Sequence, residues 1–351
     1  MNRKITNKVL VGNVPIGGGS PISVQSMTKT KTGDHKATIA QIKRLEEIGC
    51  SIVRVTVNDN DATEAMPIIV KNSSIPVVAD IHFNHIFAIK SIDAGVSKVR
   101  INPGNIGDEE KIKEVLVKAK ERNIPIRIGI NSGSLEKDIL QKYGNPTAEA
   151  LFESAMRQIK ICEKYHFHDI IISVKSTNVK LMIEAYRYLS DETNYPLHLG
   201  VTEAGTIRVG TIKSSIGIGT LLAEGIGDTI RVSLADEPER EIEVGNEILK
   251  SLNLKKGDVN LIVCPTCGRL EIDLFKIANE IEKDVRNIKK SINVAILGCA
   301  VNGIGEATEA DIGIACGKEE GLLFIKGEII KKIPADKLIE TVLNEIYNWT
   351  S

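Results

Sequence analysis

One pattern recurs eight times along the first part of the chain: an apolar, β-branched run, polar residues at its C-terminal end, then an amphipathic helical stretch. The runs are Ile22-Ser23-Val24-Gln25, Ile52-Val53-Arg54-Val55, Val77-Val78-Ala79-Asp80, Val99-Arg100-Ile101-Asn102, Ile126-Arg127-Ile128-Gly129, Ile170-Ile171-Ile172-Ser173, Leu197-His198-Leu199-Gly200 and Ile230-Arg231-Val232-Ser233. Each reads as a short buried strand. Between the runs, residues 38–48 place Ile39, Ile42, Leu45 and Ile48 at helical spacing and stop at Gly49. Residues 108–122 do the same with Ile112, Val115, Leu116 and Ala119, and residues 146–165 and 179–189 repeat the idea. Eight strand–helix alternations ending near residue 245 predict an N-terminal (β/α)8, TIM-type barrel. An open doubly wound sheet is the alternative, but such sheets usually carry fewer strands in this length.

The flanks complete the plan. Residues 1–19 read as an entry hairpin, with Val9-Leu10-Val11 and Val14-Pro15-Ile16 on either side of Gly12-Asn13. Residues 243–256 read as a helix with a basic end, and Gly257-Asp258 as a hinge. Beyond it, strands are expected near 260–263, 294–297, 312–315 and 322–325, then a hairpin turn at Gly327 into Ile329-Ile330-Lys331-Lys332, and a closing helix over 336–347. The expected organisation is a barrel over 1–255 and a small α/β domain over 256–351. Gly217-Ile218-Gly219-Thr220 begins like a nucleotide fingerprint but lacks its final glycine and later acid, so it reads as loop and helix start. Lys289-Lys290 and Lys331-Lys332 read as solvated surface charges.

Composition narrows the partners. The chain has 351 residues, 26% of them charged, and a formal net charge of -1, which gives no electrostatic case for nucleic acid or a membrane surface. Any anion site must then be a local cluster of basic residues. Aromatic residues are only 4%, so the core is expected to be aliphatic. No apolar run has the length of a membrane span, and the opening MNRKITNKVLVGN lacks a secretory apolar segment. Cys50 and Cys162 are isolated, which argues against a disulfide scaffold. A reducing cytoplasm is the expected location.

Active sites of such barrels lie at the C-terminal ends of the strands. The polar residues there are Gln25, Arg54, Asp80 with His82, Arg100 with Asn102, Arg127 with Asn131, Ser173 with Lys175, His198 with Glu203, and Arg231 with Ser233. Four strands carry an arginine inside an otherwise apolar run, and an unpaired buried charge is costly. Two readings follow: a phosphate-rich substrate gripped by guanidinium forks, or internal pairs with acids such as Asp80 and Glu203. The cationic excess at the catalytic face favours phosphate. Either histidine alone reads equally well as a hydrogen-bonded structural residue.

The second part of the chain carries a different chemistry. Leu261-Ile262-Val263 leads into Cys264-Pro265-Thr266-Cys267-Gly268, and Val294-Ala295-Ile296-Leu297 leads into Gly298-Cys299 and on to Glu306. The thiols therefore stand where strands end. Three thiols are too few for a closed structural zinc but suit an iron–sulfur cluster with one distinct iron. A CPxCG knuckle is also half of a zinc ribbon, which needs a second CxxC knuckle, and Cys299 and Cys316 lie far apart. On local pattern the fourth ligand is open between Glu306 and Cys316. Cys316 ends the apolar run Ile312-Gly313-Ile314-Ala315, which suits a core residue, and Glu306 also reads as a helix-start acid.

CPTCGR at 264–269 and GCAVNGIGE at 298–306 match the family patterns CPTCGR and GCxVNGxGE without departure. With VQSM, VRVTV, ADIHF, RINPGN, RIGINSGSL, SVKS, HLGVTEAG and RVSL, the chain resembles the 4-hydroxy-3-methylbut-2-enyl diphosphate synthase family in its two-domain bacterial form. The resemblance implies a [4Fe-4S] cluster on Cys264, Cys267, Cys299 and Glu306. It implies phosphate contacts from Arg54, Arg100, Arg127, Lys175, Arg231 and Ser233, with Asn131 near the substrate and Asp80, His82, His198 and Glu203 at the mouth. The implied reaction opens and dehydrates 2-C-methyl-D-erythritol 2,4-cyclodiphosphate to 4-hydroxy-3-methylbut-2-enyl diphosphate, in the methylerythritol phosphate route to isoprenoids. Electrons would come from reduced ferredoxin or flavodoxin, Glu306 would serve the loss of water, and a head-to-tail homodimer would bring cluster domain to barrel. Two other readings stay open: a zinc-ribbon barrel protein that binds a phosphorylated ligand without redox turnover, and a barrel synthase of the dihydropteroate-synthase type with an appended domain.

Overall fold

The computed structural model describes residues 2–270, 272–286, 288–299 and 310–350, the side chains of residues 103 and 104 excepted. The chain divides into two compact units, Met1–Leu254 and Lys255–Ser351.

The first unit opens with an antiparallel hairpin, β1 (Val9–Val11) and β2 (Val14–Ile16), turned at Gly12 with φ +58°. Eight parallel strands follow: β3 (Ser23–Met27), β4 (Ile52–Thr56), β5 (Val77–Ile81), β6 (Lys98–Ile101), β7 (Ile126–Asn131), β8 (Ile170–Lys175), β9 (His198–Leu199) and β10 (Thr229–Ile230). Their order, β8-β7-β6-β5-β4-β3-β10-β9, is closed into a barrel by a parallel bridge from Ile172 to Leu197. The helices between strands start where the sequence offers a side-chain acceptor for free N–H groups: Asp34, Asp59, Asn84, Asp108, Thr147 and Asn178 each take one.

Alternation along each strand sorts side chains between two environments. Val53, Val55, Val99, Ile101, Ile126 and Ile128 join a large aliphatic layer under the helices. Ile52, Val78 and Ile171 point the other way and pack with Val9, Val11 and Ile16 of the hairpin. The hairpin therefore gives the barrel an apolar floor.

The seam between β8 and β9 is the weakly paired part of the ring, because β9 has only two residues. Tyr186, fully buried on the helix Val179–Glu192, stitches it. Its hydroxyl donates to the His198 carbonyl at 2.5 Å and accepts from the Val174 N–H at 3.2 Å.

Three expectations are corrected here. Gly217 and Gly219 are not in a loop but inside the helix Ile207–Ala223. A Cβ on Gly217 would sit 2.8 Å from Met182 Cε and 3.0 Å from Val201 Cγ2, so glycine there permits close packing. The helix expected over 243–256 is Pro238–Ser251. Proline suits the first helical position, where no N–H is needed, and the chain leaves the helix through Asn253 at φ +55°. Lys290 is not a free surface charge: its ammonium donates to the carbonyls of Ile346, Tyr347 and Trp349 at 3.2, 2.5 and 3.0 Å.

The second unit is a five-stranded sheet in the order β11 (Val259–Val263), β12 (Ile292–Leu297), β13 (Ile312–Cys316), β14 (Glu320–Ile325) and β15 (Glu328–Pro334). The first three strands are parallel and the last two add antiparallel, with Lys326 and Gly327 at positive φ in the final turn. The helix Leu274–Val285 crosses between β11 and β12, and Leu338–Asn348 closes the unit. Among the described residues no helix is long and apolar enough to cross a membrane.

The Tyr186 stitch generates a prediction. Tyr186→Phe removes two buried hydrogen bonds and should lower barrel stability by about 1–3 kcal/mol in urea unfolding. Amide exchange at Ile172 and Val174 should quicken. Unchanged exchange at both amides would remove the seam role.

Candidate functional site

The lumen above the apolar floor is basic. Period-two alternation carries Arg54 on β4, Lys98 and Arg100 on β6, Arg127 on β7, Lys175 on β8 and Arg231 just beyond β10 into one group. All are buried except Arg231, whose side chain is 16% exposed. Register sharpens the crowding: Asp80, Arg100 and Arg127 pair side by side across β5, β6 and β7. Two like charges therefore lie next to each other in the sheet, an arrangement that repels.

Two buried carboxylates answer these six basic side chains. Asp80 Oδ1 lies 3.0 Å from Arg100 Nη1, and its Oδ2 lies 3.6 Å from Arg54 Nε. Burial alone would raise the Asp80 carboxyl, but Arg54, His82 and Arg100 outweigh it and hold the group well below the usual carboxylate range. Glu241, from the helix Pro238–Ser251, accepts from Arg231 Nη2 at 3.0 and 3.2 Å, from Ser26 Oγ at 2.9 Å and from the Leu234 N–H at 3.0 Å. Internal pairing thus exists, and it leaves most of the positive charge unanswered.

The unanswered donors are specific. Arg127 is 1% exposed, and its Nε and Nη1 have no partner. Burial first, then Arg54 and Arg100, pull its guanidinium well below its ordinary value. A cation in that position is short of an anion. His198 is fully buried with both ring nitrogens unpartnered. Burial and the cations Arg127, Lys175 and Lys98 push it well below the ordinary histidine value, so it is neutral at pH 7. Two glycines make room for this crowd. A Cβ on Gly129 would lie 2.4 Å from Arg100 Nε, and one on Gly200 would lie 2.7 Å from Lys175 Nζ.

The remaining sequence-predicted residues surround this group. His82 is exposed, with Nε2 2.8 Å from Arg100 Nη1. Asn131 is half-buried at the end of β7, and Ser233 is half-buried and accepts from Arg231 Nη1 at 3.1 Å. Glu203 is exposed on the loop after β9 at φ +49°. Sequence reading missed Lys98 and Glu241. Lys98 was legible, since it stands two residues before Arg100 and shares its face. Glu241 carried no signal that set it apart from Glu239 and Glu243.

In the second unit, β11 and β12 run parallel with Val263 opposite Ile296, and the Cys264 N–H extends the ladder to the Ile296 carbonyl at 3.0 Å. Cys264 and Cys299 therefore stand at the C-terminal ends of neighbouring strands. Arg269 is hydrogen-bonded to Cys299 and to Cys267, and these contacts hold its guanidinium above its ordinary value. Cys267 and Cys299 are thus within reach of one side chain. Cys50, Cys162 and Cys316 are buried, and burial pushes their thiols up to about 12. Cys316 belongs to the aliphatic core of the sheet. Glu306 lies outside the described residues. Among those described, no three His, Cys, Asp or Glu side chains stand close enough to hold a metal ion. The donor set still fits a thiolate-held cluster in kind: Cys264, Cys267 and Cys299 form no disulfide and lie outside the core interior, and thiolates select zinc or iron–sulfur centres.

A closed parallel barrel with a basic mouth, followed in the same chain by a sheet with cysteines past its strand ends, defines the class: a TIM-type barrel protein with a separate cysteine-bearing domain. The barrel by itself is widely shared. A Xanthomonas albilineans dihydropteroate synthase aligns with TM-score 0.50 and 12% identity, over 71% of this chain and 97% of that one. An N-acetylneuraminic acid synthetase from Leptospira borgpetersenii aligns with TM-score 0.51 and 13% identity, over 82% and 100%. Those likenesses are of fold alone.

The family is narrower. Residues 6–246 match the GcpE TIM-barrel domain and residues 260–348 the GcpE protein C-terminal domain, and the chain belongs to the GcpE family. A Clostridium acetobutylicum protein named 4-hydroxy-3-methylbut-2-en-1-yl diphosphate synthase (flavodoxin) is 60% identical over 348 residues, covering 99% of this chain and 100% of that one. A protein of the same name from Geobacillus kaustophilus is 55% identical over 346 residues, covering 99% and 92%.

Asp80 supplies the pH prediction. Its folded value is depressed, so its stabilisation is present above the unfolded value of about 4 and is lost as pH falls toward the folded value. Urea unfolding between neutral and acid pH should show a steep loss below about pH 4 in the native protein. Asp80→Asn should be weaker at neutral pH by about 3–5 kcal/mol and flatter in acid. Equal acid slopes in the two proteins would place the transition on other groups.

Proposed function

We propose that this chain is a 4-hydroxy-3-methylbut-2-enyl diphosphate synthase driven by reduced flavodoxin, with ferredoxin as an alternative donor. The substrate is 2-C-methyl-D-erythritol 2,4-cyclodiphosphate. In charge balance, its dianion takes up two electrons and one proton and gives the product trianion and one water. The surplus of buried cations over carboxylates at the barrel mouth is the observation that carries this reading beyond family membership. A ring diphosphate is the anion those donors lack.

Within this reading, Arg54, Arg100, Arg127, Lys175 and Arg231 with Ser233 hold the two phosphates. Asp80 and Glu241 orient Arg100 and Arg231 without cancelling the field. The apolar floor keeps water out from below, and charge contacts strengthen where water is excluded. Neutral His198 can donate or accept one hydrogen bond without adding charge. Asn131, His82 and Glu203 line the rim toward the reacting end of the sugar. Cys264, Cys267, Cys299 and Glu306 would hold a [4Fe-4S] cluster. Such a cluster supplies single electrons and a Lewis-acidic iron. Glu306 would also hold the proton used in the loss of water. A head-to-tail homodimer in a reducing cytoplasm completes the proposal. Nothing favours a zinc ribbon, since no second CxxC knuckle follows Cys267.

Anaerobically prepared protein should contain iron and acid-labile sulfide in equal amounts and consume the cyclic diphosphate with reduced flavodoxin. Zinc in place of iron, or no consumption, overturns the assignment. Arg127→Ala should bind the cyclic diphosphate roughly tenfold to a hundredfold more weakly at unchanged iron content.

The fourth ligand has its own test. Glu306→Ala should assemble a labile cluster with an altered electron paramagnetic resonance signal and severely reduced turnover, while Cys316→Ser leaves the signal as it is. The reverse pattern would make Cys316 the ligand.

A further inference from the structure

The deepest basic residue of the barrel takes no part in the phosphate contacts proposed for the mouth. Lys98 opens β6, and its ammonium nitrogen is fully buried. Among the described residues it makes one hydrogen bond, to Gln25 Oε1 at 3.3 Å, and forms no ion pair. Gln25 Nε2 is itself unpartnered. The charged and titratable groups that face Lys98 are Arg54 on β4, Arg127 on β7 and His198 on β9. The two carboxylates of the lumen are committed elsewhere, Asp80 to Arg100 and Arg54, Glu241 to Arg231, Ser26 and Leu234. An ammonium ion in this place has neither water nor a counter-charge, and two guanidinium groups repel it. Burial first, then Arg127 and Arg54, push the Lys98 amine well below its ordinary value.

We propose that Lys98 is a neutral amine in the free barrel and takes up one proton when a diphosphate binds above it, so that the anion and the proton enter together. This rests on the diphosphate reading of the mouth and adds to it a residue and a linkage. The arriving anion reverses the field at Lys98 from repulsive to attractive. By reciprocity, whatever factor the ligand adds to the amine's proton affinity, the proton adds to the ligand's affinity. The cyclic diphosphate isolates the effect. Each of its phosphorus atoms carries one strongly acidic oxygen, so the ligand neither gains nor loses a proton near neutrality. Any proton taken from solution goes to the protein. Because binding consumes a proton, affinity falls as pH rises between the free and the ligand-bound values of Lys98, approaching about tenfold per pH unit.

Titration calorimetry of the cluster-loaded, oxidised protein with 2-C-methyl-D-erythritol 2,4-cyclodiphosphate tests this, with no electron donor present and in buffers of differing ionisation enthalpy. The native protein should take up about one proton per ligand, and Lys98→Met about none, with an affinity that no longer depends on pH. Lys98→Met/Gln25→Leu removes both partners of the buried hydrogen bond and serves if the single variant folds poorly. Binding by the native protein without proton uptake overturns the proposal and leaves the mouth reading standing. Uptake that persists in Lys98→Met and disappears in His198→Gln overturns it in favour of the histidine. An absence of binding overturns both readings together.

Discussion

Arg54, Arg100, Arg127, Lys175 and Arg231 against two carboxylates, in a lumen sealed below by aliphatic side chains, repel one another. The rest of the barrel is arranged to contain that repulsion. The strands set the positions and leave the cations no escape, since the far face of every strand is covered by helices. Asp80 and Glu241 bind down one end of the cluster each and leave Arg127 without an anion. Gly129 and Gly200 yield the volume that Arg100 and Lys175 occupy. The charge is stored in the free protein as unfavourable electrostatic energy, which an anion bound there would release. Preorganisation of this kind places the cost of gathering charge on folding and not on binding.

The second domain works by different physics. Its sheet has an ordinary aliphatic core, and its chemistry sits past the ends of β11 and β12 on residues that pack little. Cys264 is tied to the ladder by its backbone, while Cys267 and Cys299 meet through the flexible side chain of Arg269. Donors of this kind draw their geometry from what they bind, in contrast to the rigid basic cup of the barrel.

Much of this was legible in the sequence, for physical reasons that differ by element. The eight barrel strands announced themselves because parallel strands covered on both faces must be continuously apolar. An arginine inside such a run has few places to go, which made Arg54, Arg100, Arg127 and Arg231 conspicuous. Lys98 is less conspicuous because it stands at the start of its strand, although period two ties it to Arg100. Glu241 and Tyr186 were invisible. Each sits on an amphipathic helix among similar residues, and only the packing of that helix on the barrel selects it. The helix Leu274–Val285 carries the right spacing in Leu274, Ile277, Ile281 and Val285 but is short and hidden between the two cysteine segments. Gly217 misled because a glycine-rich string looks like a loop until the neighbouring Met182 and Val201 are known.

The sequence Lys98-Val99-Arg100-Ile101 also governs how the barrel is assembled. Two residues of the strand belong to the lumen and two to the aliphatic layer, in strict alternation. Sliding β6 by one residue against β5 would drive an ammonium and a guanidinium under the helices and turn valine and isoleucine toward the cup. A strand of four hydrophobic residues could slip at little cost, since both of its faces would be alike. The paired cations make β6 a key that turns in one lock only. The charged residues that line the cup thus also guard strand register.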